Sequence, residues 1–229
     1  TPLEAEDRNV LTALDQPALF APITKWRTLV KRADRIPEVM RQAFRVATSG
    51  RPGAVPVTLP MDVLAEPVDG HSLHAEPACC TYPAYRTRPD PAAVAQAVGL
   101  LARAERPMIV AGGGAMISGA TAELTALAEA LGAPVGTSIC GKGTIAEEHP
   151  LSVGVIGGNG GRPYANGLLE AADLLLYVGC KTGSVTTGDW SLPPADGGRT
   201  ILHVDVDPTE VGRNYRTAVG LVGDARLAL

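Results

Sequence analysis

The sequence has few cysteines, no long apolar run and little excess of charge of either sign. Four cysteines in 229 residues are too few for a disulfide framework and predict a reducing, cytoplasmic compartment. No apolar run approaches the roughly 18 residues of a membrane-spanning helix, and the opening TPLEAEDRNV is unlike a signal peptide. The net charge of −4 lacks the basic excess typical of nucleic-acid-binding proteins. We therefore expect no nucleic-acid partner and no membrane partner.

Short aliphatic runs alternate with helical patterns along most of the chain. Hydrophobic residues make up 45% of the sequence, which is enough for a sizeable core. Runs such as PMIVA, DLLLYVG and TILHVDVD do not alternate apolar with polar residues, which is typical of strands buried on both faces of a parallel sheet. These patterns predict an α/β fold: a doubly wound, Rossmann-like parallel sheet with helices on both faces, preceded by a partial α/β segment.

The composition changes twice along the chain. Residues 1–65 offer at most two helices, one of them capped by Asp34, and one convincing strand at residues 54–60, which is too little for a separate core of this type. Residues 66–90 are rich in proline and lack periodicity, so we expect a linker there. Asp90 followed by Pro91 is a typical helix start and predicts a domain over residues 91–229.

A glycine turn is the first candidate binding site. Gly112, Gly113 and Gly114 follow a predicted strand, where glycines allow a phosphate to approach backbone N–H groups. The complete dinucleotide fingerprint needs a third glycine at position 117, which is Ile117, so a tight structural turn stays an alternative. Asp205 ends a later predicted strand, where a carboxylate either accepts hydrogen bonds from ribose hydroxyls or caps the next segment.

Three further patterns give weaker hypotheses. Residues 136–143 nearly match a phosphate-binding loop, but Gly143 stands where a magnesium-ligating Ser or Thr is required. The cysteines near strand ends, Cys140 and Cys180, are expected to be buried, inert thiols. A histidine and cysteine group follows no common zinc spacing, and we assign no metal ligand and no catalytic residue in this chain. That group consists of His71, His74, Cys79 and Cys80.

Several segments, taken in order, resemble thiamine-diphosphate-dependent enzymes of the acetolactate synthase group. They are ATSGRPG followed by a strand and LPMDV, then ERPMIVAGGGA, TSICGKGTIAEEHPLSVGVIG, ADLLLYVG, and HVDVDPTEVGRN with VGDA. The resemblance implies that residues 1–65 are the C-terminal part of a pyrimidine-binding domain, residues 66–90 a connector and residues 91–229 the central domain. It assigns the catalytic glutamate and the GDG…N motif to segments outside this sequence, so we expect the chain alone to be inactive.

The same resemblance implies the chemistry of a parent enzyme. Such enzymes use thiamine diphosphate and magnesium to decarboxylate a 2-keto acid, here pyruvate, and join the product to an acceptor; we expect a homodimer or tetramer. Some members bind FAD or ADP in the central domain. Residues 181–185 replace an arginine-rich loop of the FAD-binding members, which weakens the expectation of FAD. A free-standing nucleotide-binding module without catalysis is the alternative. The positions carried over as cofactor contacts are Gly112, Gly113, Gly114, Thr137, Ser138, Gly158, Asn159, Lys181, Asp205 and Asp224.

Overall fold

The computed structural model describes residues 2–6, 8–11, 13–68, 75–195 and 198–229. The chain forms two compact units, residues 1–85 and residues 86–229. Within the described residues, no helix is long and apolar enough to cross a membrane.

The first unit is small, and helices are its main regular elements among the described residues. Its helices are α1 (Gln16–Phe20), α2 (Ile36–Thr48) and α3 (Met61–Ala65), with 3-10 turns at Leu3–Ala5, Ala21–Ile23, Ala33–Arg35 and Pro77–Cys80. Strands β1 (Thr28–Leu29) and β2 (Val57–Thr58) pair in parallel. Their buried core consists of Val30, Ala33 and Val63 with partly buried neighbours. The predicted strand at residues 54–60 is therefore present, but only the two residues that face β1 form it.

The predicted cap of the long helix is wrong. Helix α2 begins at Ile36, after the 3-10 turn Ala33–Arg35, and has no side-chain cap. The Asp34 carboxylate instead accepts hydrogen bonds from the Arg32 guanidinium, so it is not available to the helix N-terminus. The Asp34 carboxylate therefore pairs with Arg32, two residues earlier, and not with the backbone N–H groups of α2.

The second unit is built on a six-stranded parallel sheet. Its strands are β3 (Pro107–Ala111), β4 (Val135–Thr137), β5 (Ser152–Val155), β6 (Leu174–Val178), β7 (Thr200–Asp205) and β8 (Val219–Val222). They lie in the order β5-β4-β3-β6-β7-β8, and every pair is parallel. Numbered from the first strand of the unit, this is the 3-2-1-4-5-6 order of the dinucleotide-binding fold. The predicted doubly wound α/β fold is confirmed.

Helices cover both faces of this sheet, as the unalternating aliphatic strands predicted. They are α4 (Pro91–Leu101), α5 (Gly113–Ser118), α6 (Thr121–Leu131), α7 (Pro163–Ala171) and α8 (Ala225–Ala228). One face of β6 packs Leu174, Leu176 and Val178 into a core shared with α4 and α6. The other face packs Leu175 and Tyr177 into a core shared with α7. Asp90 is the predicted N-cap of α4, since its carboxylate accepts from the Ala92 N–H at 2.8 Å.

Candidate functional site

The candidate cofactor residues lie along the side of the large sheet formed by the carboxyl ends of its strands, called here the carboxyl edge. All of them lie at the carboxyl end of one of the six parallel strands or within about four residues after it. The chain runs outward from β3 through β4 to β5, and then from β6 through β7 to β8 in the opposite direction. In open parallel sheets, ligands bind outside the carboxyl ends of the strands at this switch point, here between β3 and β6. The topology therefore brings together residues that the sequence separates by up to 112 positions.

The glycine turn, residues 112–114, packs closely against the end of β6 and against the turn that follows β4. The Gly112 N–H donates to the Val178 carbonyl and the Gly114 N–H to the Gly179 carbonyl, both at 2.9 Å. A methyl group on Gly112 would stand 2.2 Å from the Gly179 oxygen, so only glycine permits this approach. Gly113 lies against Cys140, whose Cβ would be 3.0 Å from an added methyl. Two of the three amides are therefore engaged by β6 and its loop, as the tight-turn alternative requires.

The segment after β4 forms a 3-10 turn, Ile139–Gly141, and not the helix that a phosphate-binding loop needs. Thr137 and Ser138 are buried, and the Ser138 hydroxyl accepts from the Gly141 N–H at 3.1 Å to cap the turn. Cys140 is exposed, so its predicted burial is wrong; it lies in the turn, beyond the end of the strand. Cys180 is buried as predicted, and burial raises the pKa of its thiol to about 11.

The loop that follows β6 contributes an exposed cation. Lys181 is exposed, whereas the next residue, Thr182, is buried and its carbonyl accepts from the Asn214 amide at 3.0 Å. The Gly158 N–H donates to the Val185 carbonyl at 2.8 Å, which ties the turn after β5 to this loop. Asn159, next to that contact, is exposed. An exposed lysine and an exposed amide side chain thus lie on two loops that contact each other.

Two buried titratable groups end strand β7. The His203 Nε2 lies 2.9 Å from the Cys180 carbonyl; because a carbonyl only accepts, the neutral ring carries its proton on Nε2. Burial lowers the pKa of His203. The Asp205 carboxylate accepts from the Asp207 N–H at 2.9 Å, and burial raises the pKa of Asp205. A carboxylate at the carboxyl end of a parallel strand has the position and chemistry to accept ribose hydroxyls.

Asp224 has a structural contact that the sequence patterns did not indicate. Its carboxylate forms an ion pair with Arg86 at 2.7 Å and accepts from the Ser118 hydroxyl at 2.9 Å. Its N–H donates to the Thr87 carbonyl at 2.9 Å. These contacts join the start of the second unit to its end, and both carboxylate oxygens are engaged. Arg86 and Ser118 are 138 and 106 residues away, so no spacing rule could have revealed the cluster.

At the carboxyl ends of these strands Lys181 has an exposed cationic side chain and Asp205 has a carboxylate, whereas the N–H groups of Gly112 and Gly114 donate to backbone carbonyls. A cation and a carboxylate are the groups that could contact a diphosphate and a ribose. Within the described residues there is no group of three or more potential metal ligands. Cys79 and Cys80 have free thiols. The two histidines considered with them, His71 and His74, lie outside the described residues.

Comparisons with known proteins agree with this architecture. Residues 94–229, more than half of the chain, match the model of the thiamine pyrophosphate enzyme central domain. A probable acetolactate synthase large subunit of Methanocaldococcus jannaschii is 39% identical over 232 residues, covering 100% of this chain. The glyoxylate carboligase of Escherichia coli O157:H7 is 36% identical over 217 residues, covering 95% of this chain.

The chain is shorter than these relatives. It spans 38% of the length of the Methanocaldococcus protein and 36% of the length of the carboligase. The acetolactate synthase of Arthrospira platensis is 35% identical over 234 residues, and the chain spans 39% of it. With its six-stranded parallel sheet in place, the chain belongs to the thiamine pyrophosphate enzymes of the acetolactate synthase group, and residues 94–229 are their central domain.

Proposed function

We propose that this chain is part of a cytoplasmic, thiamine-diphosphate- and magnesium-dependent enzyme that decarboxylates a 2-keto acid and joins the product to an acceptor. Pyruvate is the proposed substrate, and the assembly is a homodimer or tetramer. The observation that carries this proposal is the similarity of the whole chain, and not only of its central domain, to the Methanocaldococcus protein. A free-standing nucleotide-binding module, the alternative, is not favoured because it leaves the similarity of the first 93 residues without a reason.

Within that enzyme the chain has a scaffolding role. Residues 1–65 are the proposed end of a pyrimidine-binding domain, residues 66–90 a connector and residues 91–229 the central domain. The described residues do not fit thiamine diphosphate or magnesium. Gly223-Asp224 is followed by Ala225 where the GDG…N motif has glycine, and the Asp224 carboxylate is paired with Arg86. We therefore derive no catalytic step from this chain and expect it to be inactive alone.

A chimera tests the parent activity. The matching segment of the Methanocaldococcus protein is replaced by this chain, and acetolactate formation from pyruvate is measured with thiamine diphosphate and magnesium. The chimera should retain activity, while the 229-residue chain alone should have none. The unmodified relative is the positive control, and circular dichroism verifies folding. A folded chimera that fails to bind thiamine diphosphate with magnesium would refute the assignment.

We further propose that the carboxyl edge of the large sheet binds a nucleotide, ADP or FAD. The strand order and the side chains of Lys181 and Asp205 support this proposal. Calorimetry of the chain with FAD, ADP, NAD and coenzyme A tests it. Lys181→Ala should weaken binding of ADP or FAD by about tenfold, as expected when a charged hydrogen bond of about 1.5 kcal/mol is lost. Lys31→Ala, an exposed lysine of the first unit, is the matched control and should change nothing. If calorimetry detects no binding of any of the four ligands, the proposed nucleotide site is refuted.

A further inference from the structure

Three successive backbone carbonyls in the loop after β6 are held by side chains from β7 and from the connection that follows it. The Cys180 carbonyl accepts from the His203 Nε2 at 2.9 Å. The carbonyls of Lys181 and Thr182 accept from the side-chain amide of Asn214, at 3.3 Å and 3.0 Å. His203 belongs to β7, and Asn214 lies between β7 and β8. The backbone at Lys181 is therefore fixed on both sides, while its side chain is exposed.

The amide group of Asn214 is essential to this arrangement. Its Nδ2 also donates to the Thr182 hydroxyl at 3.1 Å, so the two N–H groups are shared among three oxygen atoms. A backbone carbonyl only accepts hydrogen bonds, so the NH2 group of the amide, and not its oxygen, faces the loop. Neither a carboxylate nor a hydroxyl supplies two donors at one atom. The contacts therefore depend on the amide and not on a polar side chain in general.

The residue that Asn214 contacts most has an unusual backbone conformation. Thr182 is buried and has φ 51°. A positive φ is a genuine outlier for a β-branched residue, and it persists only where surrounding contacts impose it, often at ligand sites. Two of the Asn214 contacts are to the carbonyl and the hydroxyl of Thr182. Asn214 therefore stabilises the direction that the chain takes directly after Lys181.

Asn214 also connects the two strand ends to which the nucleotide is assigned. Strands β6 and β7 are neighbours in the sheet, and Val178 pairs with Val204. Lys181 lies in the loop after β6, and Asp205 is the last residue of β7. The connection after β7 returns to the loop after β6 through Asn214.

We propose that Asn214 is a positioning residue for Lys181. It holds the loop after β6 in the conformation that presents the lysine ammonium group to a diphosphate at the carboxyl edge, and it does not touch the nucleotide itself. This inference rests on the nucleotide binding proposed above. A backbone that is fixed before binding lowers the cost of ordering the lysine, which corresponds to about 2- to 10-fold in affinity. Because Asn214 acts through Lys181, it contributes to the affinity for ADP and not to that for a nucleoside.

Trypsin cleavage after Lys181 tests the positioning without any nucleotide. The bond that trypsin hydrolyses contains the carbonyl that accepts from Asn214, and cleavage requires local opening of the loop. Asn214→Ala should accelerate this cleavage by about fivefold or more, because the lost hydrogen bonds favour the open loop. Cleavage after the exposed Lys142 is the internal control and should keep its rate. Thr217→Ala removes a hydrogen bond to the Tyr215 carbonyl in the same connection and is the matched control variant.

Calorimetry with ADP and with adenosine, which lacks the diphosphate, tests the consequence for binding. Asn214→Ala should weaken ADP binding by about 2- to 10-fold and leave the affinity for adenosine unchanged. In a Lys181→Ala background the same substitution should have no further effect on ADP, because the contact through which it acts is already lost. Asn214→Ser retains one hydroxyl donor, should lose less ADP affinity, and replaces the alanine variant if that variant does not fold. Thr217→Ala should bind both ligands like the unmodified chain.

The outcomes separate this inference from the nucleotide proposal on which it rests. Unchanged cleavage after Lys181 in Asn214→Ala overturns the inference whether or not a nucleotide binds. Faster cleavage with unchanged ADP affinity overturns it and leaves the nucleotide site standing. An equal loss of ADP and adenosine affinity, or a further loss in the Lys181→Ala background, gives Asn214 a general structural role and also overturns it. If the unmodified chain binds no ADP, both proposals fail together.

Discussion

Replacing Asp224 by alanine should destabilise the second unit strongly. The Asp224 side chain is 7% exposed and the Arg86 side chain 29% exposed. Removing the carboxylate leaves the guanidinium without its counter-ion and the Ser118 hydroxyl without its acceptor. Loss of one partner of a buried ion pair typically costs about 3–5 kcal/mol. Because Arg86 retains its hydrogen bond to the Ser118 carbonyl at 2.8 Å and some contact with water, we expect about 3 kcal/mol.

Two further variants serve as references for the destabilisation expected of Asp224→Ala. Asp224→Asn keeps an oxygen acceptor but removes the charge, so it should cost less, about 1–2 kcal/mol. Glu147→Ala removes one partner of the exposed pair Lys142–Glu147, whose side chains are 61% and 59% exposed. An exposed pair of this kind contributes about 0–1 kcal/mol, so Glu147→Ala is the matched control.

Urea unfolding, followed by Trp190 fluorescence in a Trp26→Phe background, measures these changes within the second unit. An unfolding free energy of Asp224→Ala within about 1 kcal/mol of that of Glu147→Ala would refute the reasoning. A double-mutant cycle with Arg86→Ala adds an independent check. The two substitutions should be non-additive by about 1 kcal/mol or more, since their side chains touch. Additive costs would mean that the ion pair contributes nothing.

Three further outcomes are expected. Since burial lowers the pKa of His203 below its usual 6.5, the unfolded chain binds a proton that the folded chain excludes as the pH falls below that value. The free energy of unfolding should therefore decrease from pH 7 to pH 5.5, and urea titrations should show a smaller decrease in His203→Gln. Gly112→Ala places a methyl 2.2 Å from a backbone oxygen and should lower the free energy of unfolding by about 2–3 kcal/mol. Gly167→Ala in α7 meets no atom within 4 Å and should raise the free energy of unfolding by about 0.5–1 kcal/mol. Thermal melts that rank the two variants in the opposite order would contradict the predicted clash at Gly112. Iodoacetamide should modify the exposed Cys140 in the native chain and the buried Cys180 only after unfolding, as peptide mass mapping would reveal, and equal native labelling would disprove the assigned burial.

Most of the second unit could be predicted from local patterns. The runs PMIVA and DLLLYVG became β3 and β6 because aliphatic residues on both sides of a strand are stable only between two helical layers. Gly132 ends α6 with φ 60°, as a glycine after a periodic helix indicates. The first unit was predicted less well. The Asp34 carboxylate can accept either from the N-terminus of a helix or from the neighbouring Arg32 guanidinium, and local propensity does not determine which of the two bonds forms.

The cofactor positions were carried over from the family resemblance and remain a prediction. The structure places them at the carboxyl ends of the six strands, a location that strand patterns in the sequence also indicate. The positive φ of Trp190 had no sequence signal, because bulky residues rarely adopt this conformation, unlike the Gly188 and Asp189 that precede it. The buried Thr187, whose hydroxyl accepts from the Trp190 N–H, could therefore not be predicted to hold the turn at residues 188–190.

By itself, the sequence determined the class of fold, the positions of the strands and helices, and the resemblance to a family, since each is written in short-range periodicity or in consecutive motifs. Only the tertiary structure decided the role of individual groups. The engagement of the Gly112 amide by β6 and the pairing of Asp224 with Arg86 join residues that are 66 and 138 positions apart. Such contacts depend on the order of the strands in the sheet and on the packing around it, which no local pattern encodes.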